Sequence, residues 1–282
     1  MKMINLVLIA MIGLVLSGCK MLPSEPPKKT FLDIEKHSDF TVYSMKRDHS
    51  AAPARTNGKA PKKMLPTTKN LVFLTADTFS SEQFAPLLSA AYKSDNPPTL
   101  NELAWWQFAP LFRDVYDKVI YLPLEQAKYA NILASLKYME KQGKKYDLIV
   151  MSHGIPNHLT TGETGYFMSF KEIDELQGQL KNLNLVFMQA CFGSSLVQDW
   201  LKAGADTVIS FDGFNRNFFF ISVFLDHHRW YNEQGAFLTA NRDMRATLNK
   251  NKVYKLMIEK GLGLTVDQYL SQAEEPKIAT RK

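Results

Sequence analysis

The sequence is poor in cysteine, because Cys19 and Cys191 are its only two among 282 residues. It has no internal repeat, and it has no Gly-x-Ser-x-Gly segment, which weighs against a serine esterase. Long apolar runs are missing as well. Residues 4–16 form a run of about 13 residues and residues 218–225 a shorter one, and both are too short to cross a bilayer.

The amino terminus has the order of a secretion signal. A short positive start precedes the apolar residues 4–16, and Leu16-Ser17-Gly18-Cys19 follows directly. This segment resembles the bacterial lipobox, whose cysteine receives a diacylglyceryl group before cleavage. The resemblance implies that residues 1–18 are a signal peptide and that Cys19 is lipidated, whereas the alternative is an ordinary signal peptide with an unrelated cysteine. Lys20 replaces the aspartate that is associated with inner-membrane retention, which favours an outer-membrane lipoprotein facing the periplasm.

Residues 19–67 have the composition of a tether rich in proline. Ten lysines and arginines face five acidic residues between positions 20 and 66, and this excess provides five of the six net positive charges. The rest of the chain is therefore close to neutral. The charge favours contact with anionic headgroups or cell-wall polymer over a nucleic-acid groove, and a merely solvated linker fits equally well. Residues 31–43 are apolar enough for one ordered segment, such as a strand on the domain.

From residue 68 onward, buried strands alternate with helices. The apolar runs predict five strands, at residues 71–74, 119–122, 148–151, 185–188 and 207–210. Helical spacing between them is clearest at residues 126–142. This alternation predicts an α/β fold with a mostly parallel sheet and helices on both faces. About 200 residues suit one domain, which we place at residues 68–265, followed by a loose tail at residues 266–282.

The predicted strands end on residues that carry chemistry. Asp77, His153, Cys191 and Asp212 each follow such a strand, and in parallel sheets ligands bind at the carboxyl ends of strands. Cys191 also precedes a predicted helix start, whose positive end stabilises a thiolate. If Cys19 is lipidated, Cys191 has no second cysteine in its own chain. This favours a functional thiol over the alternative of an inert buried cysteine.

Two of these strand ends resemble a known active site. His153-Gly154 and Gln189-Ala190-Cys191 resemble the caspase-like cysteine peptidases, which include caspases, legumains, gingipain-type enzymes and separase-related bacterial domains. The caspase signature is Gln-Ala-Cys, then Arg, Gln or Gly, then Gly. The sequence matches at Gln189 to Cys191 and at Gly193 but departs at Phe192. Its 38-residue interval from His153 to Cys191 is shorter than the caspase interval of about 50. These departures exclude a close caspase and favour a bacterial branch of the superfamily. The resemblance covers roughly residues 68–250.

The resemblance implies a three-layer caspase-haemoglobinase-like fold and a cysteine-type peptidase with a His-Cys dyad. Cys191 is then the nucleophile, and His153 is the general acid and base. The N–H groups of Gly154 and Cys191 form the oxyanion hole, and glycine leaves room for the substrate carbonyl. No cofactor and no metal are implied, and the partner is a protein or peptide substrate. The alternative for His153 is a structural histidine at a strand end.

Three residues are candidates for substrate binding. Side chains alternate along a strand, so we expect Gln189 to point to the same side as Cys191 and to line the pocket. Asp77 and Asp212 flank this pocket. Two acidic side chains there favour Lys or Arg, and disfavour Asp, before the scissile bond. The alternative is that both aspartates only cap the helices that follow them.

His227 and His228 form a second candidate cluster. Adjacent residues on a helix point about 100° apart, so these two cannot chelate a metal from one face, and we favour a role at the surface or domain edge. Two rival functions remain for the whole chain. One is a catalytically inactive caspase-like envelope scaffold that binds a protein partner, and the other is a different acyl-transfer enzyme.

Overall fold

The computed structural model of this chain describes residues 31–45, 69–76, 100–113, 115–161, 167–213, 219–251, 255, 258–259 and 263–281. Cys19 and Asp77 lie outside these described residues. The predicted lipidation site, Cys19, and one of the three predicted substrate-binding residues, Asp77, therefore have no described structure.

Eleven strands occur within the described ranges, in one large and one small sheet. They are β1 (Phe31–Lys36), β2 (Thr41–Met45), β3 (Lys69–Ala76), β4 (Tyr116–Leu122), β5 (Tyr146–Ser152), β6 (Gly154–Ile155), β7 (His158–Thr160), β8 (Phe167–Ser169), β9 (Leu183–Gln189), β10 (Thr207–Phe211) and β11 (Pro276–Thr280). The large sheet has the order β1-β2-β4-β3-β5-β9-β10-β11, and the small sheet has the order β6-β7-β8. All five strands predicted from the sequence are present.

Seven α-helices accompany these strands in the same part of the chain. They are α1 (Leu100–Phe112), α2 (Tyr129–Lys141), α3 (Phe170–Asp174), α4 (Val197–Ala203), α5 (Phe220–His228), α6 (Glu233–Lys250) and α7 (Val266–Gln272). None of the described helices is both long and apolar enough to serve as a membrane span. Helix α2 confirms the amphipathic helix predicted at residues 126–142.

The centre of the large sheet is parallel. Strands β4, β3, β5, β9 and β10 run in the same direction, and β2 and β11 run antiparallel to them. The edge strand β1 is antiparallel to β2 and therefore shares the direction of the central strands. Among the parallel strands, β3 comes first in the sequence. β4 lies on one side of β3, and β5, β9 and β10 follow on the other side. The strand order therefore reverses between β3 and β5, and in sheets of this type the crevice beside such a reversal is where ligands bind.

Helices cover both faces of the sheet, and the alternation of side chains along β3 shows how. Leu71 and Phe73 pack on one face with α1, α5, α6 and α7. Val72 and Leu74 pack on the other face with α2, α3 and α4. All four side chains are fully buried, which is why this strand is continuously apolar in sequence. The predicted α/β class, with a mostly parallel sheet between two helical layers, is confirmed.

Two predicted boundaries differ from the structure. Part of the predicted tether, residues 31–45, forms β1 and β2 and pairs with β4, which extends the suggested single segment to a hairpin. The loose tail predicted at residues 266–282 is wrong, because α7 and β11 lie there and β11 pairs with β10 over its whole length. Both segments add edge strands that are too short for periodicity alone to identify. These strands are defined by their pairing with other strands, which sequence periodicity does not show.

Candidate active site

His153 and Cys191 lie at the ends of neighbouring parallel strands. Strands β5 and β9 pair in a register that ends with Met151 opposite Gln189, and His153 and Cys191 each stand two positions further on. Paired strands are about 4.8 Å apart. The sequence prediction that two parallel strands present these residues from the same sheet edge is therefore confirmed for the strands that carry them.

The two residues also extend the same face of the sheet. Ile149 in β5 and Phe187 in β9 are buried in the same half of the core, and they precede His153 and Cys191 by four positions each. Because side chains alternate with a period of two, this spacing favours one common side. Both His153 and Cys191 are half-buried, whereas residues 148–150 and 186–188, further back along their strands, are fully buried. Both residues therefore follow a buried strand and remain partly accessible to solvent.

Gly154 lies directly against the backbone of Cys191. A Cβ atom at this glycine would overlap the carbonyl oxygen of Cys191 and would stand 3.1 Å from its carbonyl carbon. Only glycine therefore fits without movement of the chain. This close contact shows that the His153 end of β5 and the Cys191 end of β9 meet.

The backbone around Gly154 leaves one donor outside the hairpin that follows it. In the β6–β7 ladder, Gly154 pairs with Leu159 and Ile155 pairs with His158. The N–H of Thr160 donates to the carbonyl of His153 at 2.9 Å, which makes His153 and Thr160 a hydrogen-bonded pair. Hydrogen-bonded and non-bonded pairs alternate, so the N–H of Gly154 points away from β7.

The turn after Cys191 is tighter than an ordinary helix start. Phe192 has a left-handed backbone, with φ of 54°, and its N–H donates to the carbonyl of Gly213 at 2.7 Å. A 3-10 helix occupies Gly193–Leu196, and α4 begins only at Val197. The helix that follows Cys191 therefore begins later than predicted. Only one 3-10 turn lies beside the Cys191 thiol, so stabilisation of a thiolate by a helix dipole is limited there.

Gln189 and Asp212 have different surroundings. Gln189 ends β9 and is 7% exposed, two positions before Cys191 and hence on the same side. Asp212 follows β10 and forms an ion pair with Lys277 of β11. Hydrogen bonds from Lys277 and then from Ser194 lower the pKa of Asp212, so its carboxylate is ionised near neutral pH. The negative charge of Asp212 is thus present but already has a cationic partner.

A second polar cluster lies at the opposite, amino end of the sheet. Asp147, which is fully buried near the start of β5, accepts hydrogen bonds from Tyr116 at 3.0 Å and from Asn184 at 2.7 Å. His228 places Nε2 3.2 Å from the same carboxylate. Six residues of extended strand separate Asp147 from His153, or about 20 Å. This cluster is therefore distinct from the His153–Cys191 edge.

Charge compensation sets the protonation of this cluster. Burial alone raises the pKa of Asp147, but the charge of Lys69 and the hydrogen bonds from His228 and Asn184 outweigh it, and its pKa falls from 3.8 to about 2. For Lys69, burial lowers the pKa, and the charges of Asp147 and Glu233 reverse that effect so that it rises. Both groups are therefore charged at neutral pH.

Three of these side chains have the donor types of a metal site. Ligand atoms of Asp147, His228 and Glu233 all lie within 4.8 Å of one another. However, the ammonium group of Lys69 already bonds to Glu233 and lies 4.0 Å from Asp147 Oδ2. A bound cation would have to displace that charge, so this donor set fits an internal ion pair better than a metal.

This cluster was not apparent from the sequence. The surface or domain-edge role predicted for His227 and His228 is wrong, because these residues are only 4% and 1% exposed. Their helix α5 packs directly on the sheet, and His228 reaches the buried Asp147. One signal was available, namely an aspartate near the start of the otherwise apolar run of β5, since acidic side chains are rarely buried without partners.

Comparisons with known proteins are sparse. The chain matches no protein-family model and no curated protein. Among solved structures, 27 chains match. One of them is the crystal structure of caspase-1 from Spodoptera frugiperda, with a TM-score of 0.47 and 12% sequence identity, and the match covers 81% of this chain and 92% of that chain.

Proposed function

We propose that this protein is a cysteine endopeptidase in which His153 and Cys191 form the catalytic dyad. The observation that carries the proposal is their placement at equivalent register positions beyond two adjacent parallel strands. The contact of Gly154 with the backbone of Cys191 supports it, because it draws the two strand ends together. The strand order also reverses beside β5, where ligands bind in sheets of this type.

The reaction would proceed in two steps. The Cys191 thiolate attacks the carbonyl carbon of the peptide bond, and the oxyanion that forms is held by the N–H groups of Gly154 and Cys191. Collapse of this intermediate breaks the C–N bond, and protonated His153 transfers its proton to the leaving amine. His153 then takes a proton from water, whose oxygen attacks the thioester. Cleavage of the C–S bond then releases the new carboxylic acid and restores the Cys191 thiolate beside protonated His153.

Replacement of the nucleophile tests this proposal. We expect the wild-type protein to hydrolyse members of a peptide library and Cys191→Ala to hydrolyse none above background. Circular dichroism and thermal melting of the variant should match the wild type, because Cys191 is only half-buried. Peptide hydrolysis by the Cys191→Ala protein would contradict the mechanism, and a wild-type protein without hydrolysis would favour the inactive scaffold.

The finer proposal is a preference for Lys or Arg before the scissile bond. The ionised carboxylate of Asp212 supports it, because a substrate ammonium or guanidinium group can exchange with Lys277 as its partner. Asp77, after β3, is the second candidate acid. The library profile of Asp212→Asn and Asp77→Asn variants tests this preference. Efficient cleavage after Asp, or a profile unchanged in both variants, would show that these carboxylates do not select the substrate.

We also propose that a lipid on Cys19 anchors the enzyme to the bacterial envelope, at the periplasmic side of the outer membrane. The lipobox-like Leu16-Ser17-Gly18-Cys19 supports the anchor, and Lys20 supports the choice of membrane. We expect Cys19→Ser to move the protein from the membrane fraction to the soluble fraction. Membrane association that persists in this variant would indicate another anchor.

A further inference from the structure

Two non-glycine residues in the described part of the chain have a left-handed backbone. They are Asn157, with φ of 65°, and Phe192, with φ of 54°. Asparagine adopts this conformation fairly often, whereas a bulky residue such as phenylalanine does so only when its surroundings impose it. Both residues lie in turns next to the proposed dyad. Phe192 follows Cys191 directly, and Asn157 lies in the turn of the β6–β7 hairpin that begins after His153.

A single hydroxyl group connects these two turns. The N–H of Asn157 donates to Ser195 Oγ at 2.7 Å, and Ser195 Oγ donates to the carbonyl of Phe192 at 2.7 Å. The hydroxyl thus acts as acceptor toward one turn and as donor toward the other, which a methyl group cannot do. Asn157 and Ser195 are 38 positions apart in sequence, so this is a contact between separate segments.

The bridge is part of a continuous path from His153 to Cys191. On one side, the hydrogen bond between Thr160 and His153 closes the hairpin. The turn of the hairpin is fixed by the N–H of Phe170, which donates to the carbonyl of Asn157 at 3.1 Å. On the other side, the N–H of Phe192 is fixed by Gly213. Ser195 joins the two halves at their tips.

We propose that Ser195 is a positioning residue that holds the His153 hairpin against the Cys191 turn at the distance that the dyad requires. This inference rests on the proposed function, in which His153 must exchange a proton with Cys191. Ser195 itself touches neither the substrate nor the reacting atoms in this account. Its role is to fix the two turns in relation to each other, because small displacements of catalytic groups cost large factors in rate.

The test compares substitutions that differ in the hydroxyl group alone. Thr and Val have nearly the same shape, so Ser195→Thr keeps the bridge and Ser195→Val removes it, while Ser195→Ala removes it without added volume. Ser135→Ala is the matched control, because its hydroxyl is buried and donates to the Asn131 carbonyl at 2.7 Å on the remote helix α2. Thermal melting identifies the temperature at which all variants are folded.

Two readouts separate the bridge from the chemistry. Hydrogen exchange of the Asn157 amide, followed by NMR, reports on the bridge, and the rate of Cys191 alkylation by iodoacetamide between pH 5 and pH 9 reports on the dyad. We expect Ser195→Ala and Ser195→Val to exchange Asn157 about tenfold faster. Their alkylation at low pH should fall about tenfold or more, toward the profile of His153→Ala, whereas Ser195→Thr and Ser135→Ala should follow the wild type.

The outcomes distinguish the two proposals. Equal behaviour of Ser195→Thr and Ser195→Val, or an unchanged alkylation profile in Ser195→Ala, overturns the positioning role while leaving the dyad intact. If wild type and His153→Ala already share one alkylation profile, the dyad fails and the role of Ser195 fails with it. Alkylation requires no peptide hydrolysis, so a wild-type protein without peptidase activity contradicts the proposed function alone.

Discussion

The two ends of strand β5 both carry polar residues, but these residues differ in burial and in their contacts. At the amino end, Asp147 is fully buried, and its carboxylate has hydrogen bonds from three side chains. At the carboxyl end, His153 is half-buried and is followed by a hairpin whose turn contains a left-handed residue. One end has a buried carboxylate with several hydrogen bonds, which stabilises the fold, and the other has the partial exposure that the proposed catalysis requires.

The same contrast holds for the neighbouring strands. Lys69, Tyr116 and Asn184 stand at the amino ends of β3, β4 and β9, and all three belong to the network around Asp147. Cys191 and Asp212 follow the carboxyl ends of β9 and β10, and the N–H of Phe192 donates to the carbonyl of Gly213 between the two segments. Polar residues at the amino ends of these strands therefore stabilise the fold, whereas those at the carboxyl ends are the ones to which we assign catalysis.

Loss of the buried carboxylate should give the largest effect on stability. Asp147→Ala leaves Tyr116 and His228 without this acceptor. Asn184 then keeps only Glu233 as acceptor, and Lys69 has one anion fewer. We expect a loss of about 3–5 kcal/mol in the free energy of unfolding, measured with urea. The matched control is Asp206→Ala, which removes partly exposed ion pairs to Lys145 and Arg281 and should cost less than about 1 kcal/mol.

This substitution also breaks or supports the comparison of the two ends. At a temperature where Asp147→Ala remains folded, thiol labelling of Cys191 should equal that of the wild type. A stable Asp147→Ala protein with an unreactive Cys191 would show that the amino-end network takes part in the chemistry.

The close contact at the carboxyl end predicts the next effect. Gly154→Ala places a Cβ atom on the carbonyl of Cys191, and relief of this overlap must move one of the two strand ends. We expect a decrease of about 100-fold in kcat/KM for peptide hydrolysis. Gly143→Ala is the control, because that glycine has positive φ but open space around it, so only stability should change, by about 1 kcal/mol. Full activity of Gly154→Ala would exclude this contact as a determinant of the site.

Acid should weaken the amino end in a defined pH range. The pKa of Asp147 is lowered from 3.8 to about 2 in the folded state, so its contribution is present above pH 4 and is lost as the pH falls toward 2. The contribution is about 2 kcal/mol. Urea unfolding at pH 5, 4, 3 and 2 measures it as the difference between the wild type and Asp147→Asn. Parallel pH dependences of the two proteins would mean that Asp147 is not the titrating group.

The smallest expected effect concerns Lys277, at the carboxyl edge. This side chain is 66% exposed, so Lys277→Ala should leave the free energy of unfolding nearly unchanged. Because the substitution leaves Asp212 without its cation, cleavage after Lys or Arg should increase, by at most about fivefold. A decrease in such cleavage would show that Asp212 serves only to hold β11.

The sequence was informative where local pattern and topology agree. Apolar runs that end at His153 and Cys191 predicted two buried strands, and because these strands are consecutive and parallel, their ends were expected to meet. The resemblance to caspase-like peptidases implied that Gly154 lies beside Cys191 in the oxyanion hole, and Gly154 lies against the Cys191 backbone. The structure bears out this placement of the strands, while the catalytic roles remain predictions.

Other features could not be read from local pattern. His228 reaches Asp147 across 81 positions, and nothing in the spacing of α5 shows which side of that helix meets the sheet. Ser195 depends on two left-handed turns, and those conformations follow from tertiary contacts more than from residue type. β11 is five residues long, too short to show a period, and it is defined by its pairing with β10.

The central claim is that His153 activates the thiol of Cys191, and covalent labelling tests it most directly. The wild-type protein, Cys191→Ala and His153→Ala are each treated with a peptide-based electrophile that reacts with activated thiols, and the labelled residue is identified by mass spectrometry. We expect labelling of the wild type at Cys191, none in Cys191→Ala, and a labelling rate in His153→Ala that is lower by about 100-fold or more. Equal labelling rates in the wild type and His153→Ala would contradict the dyad.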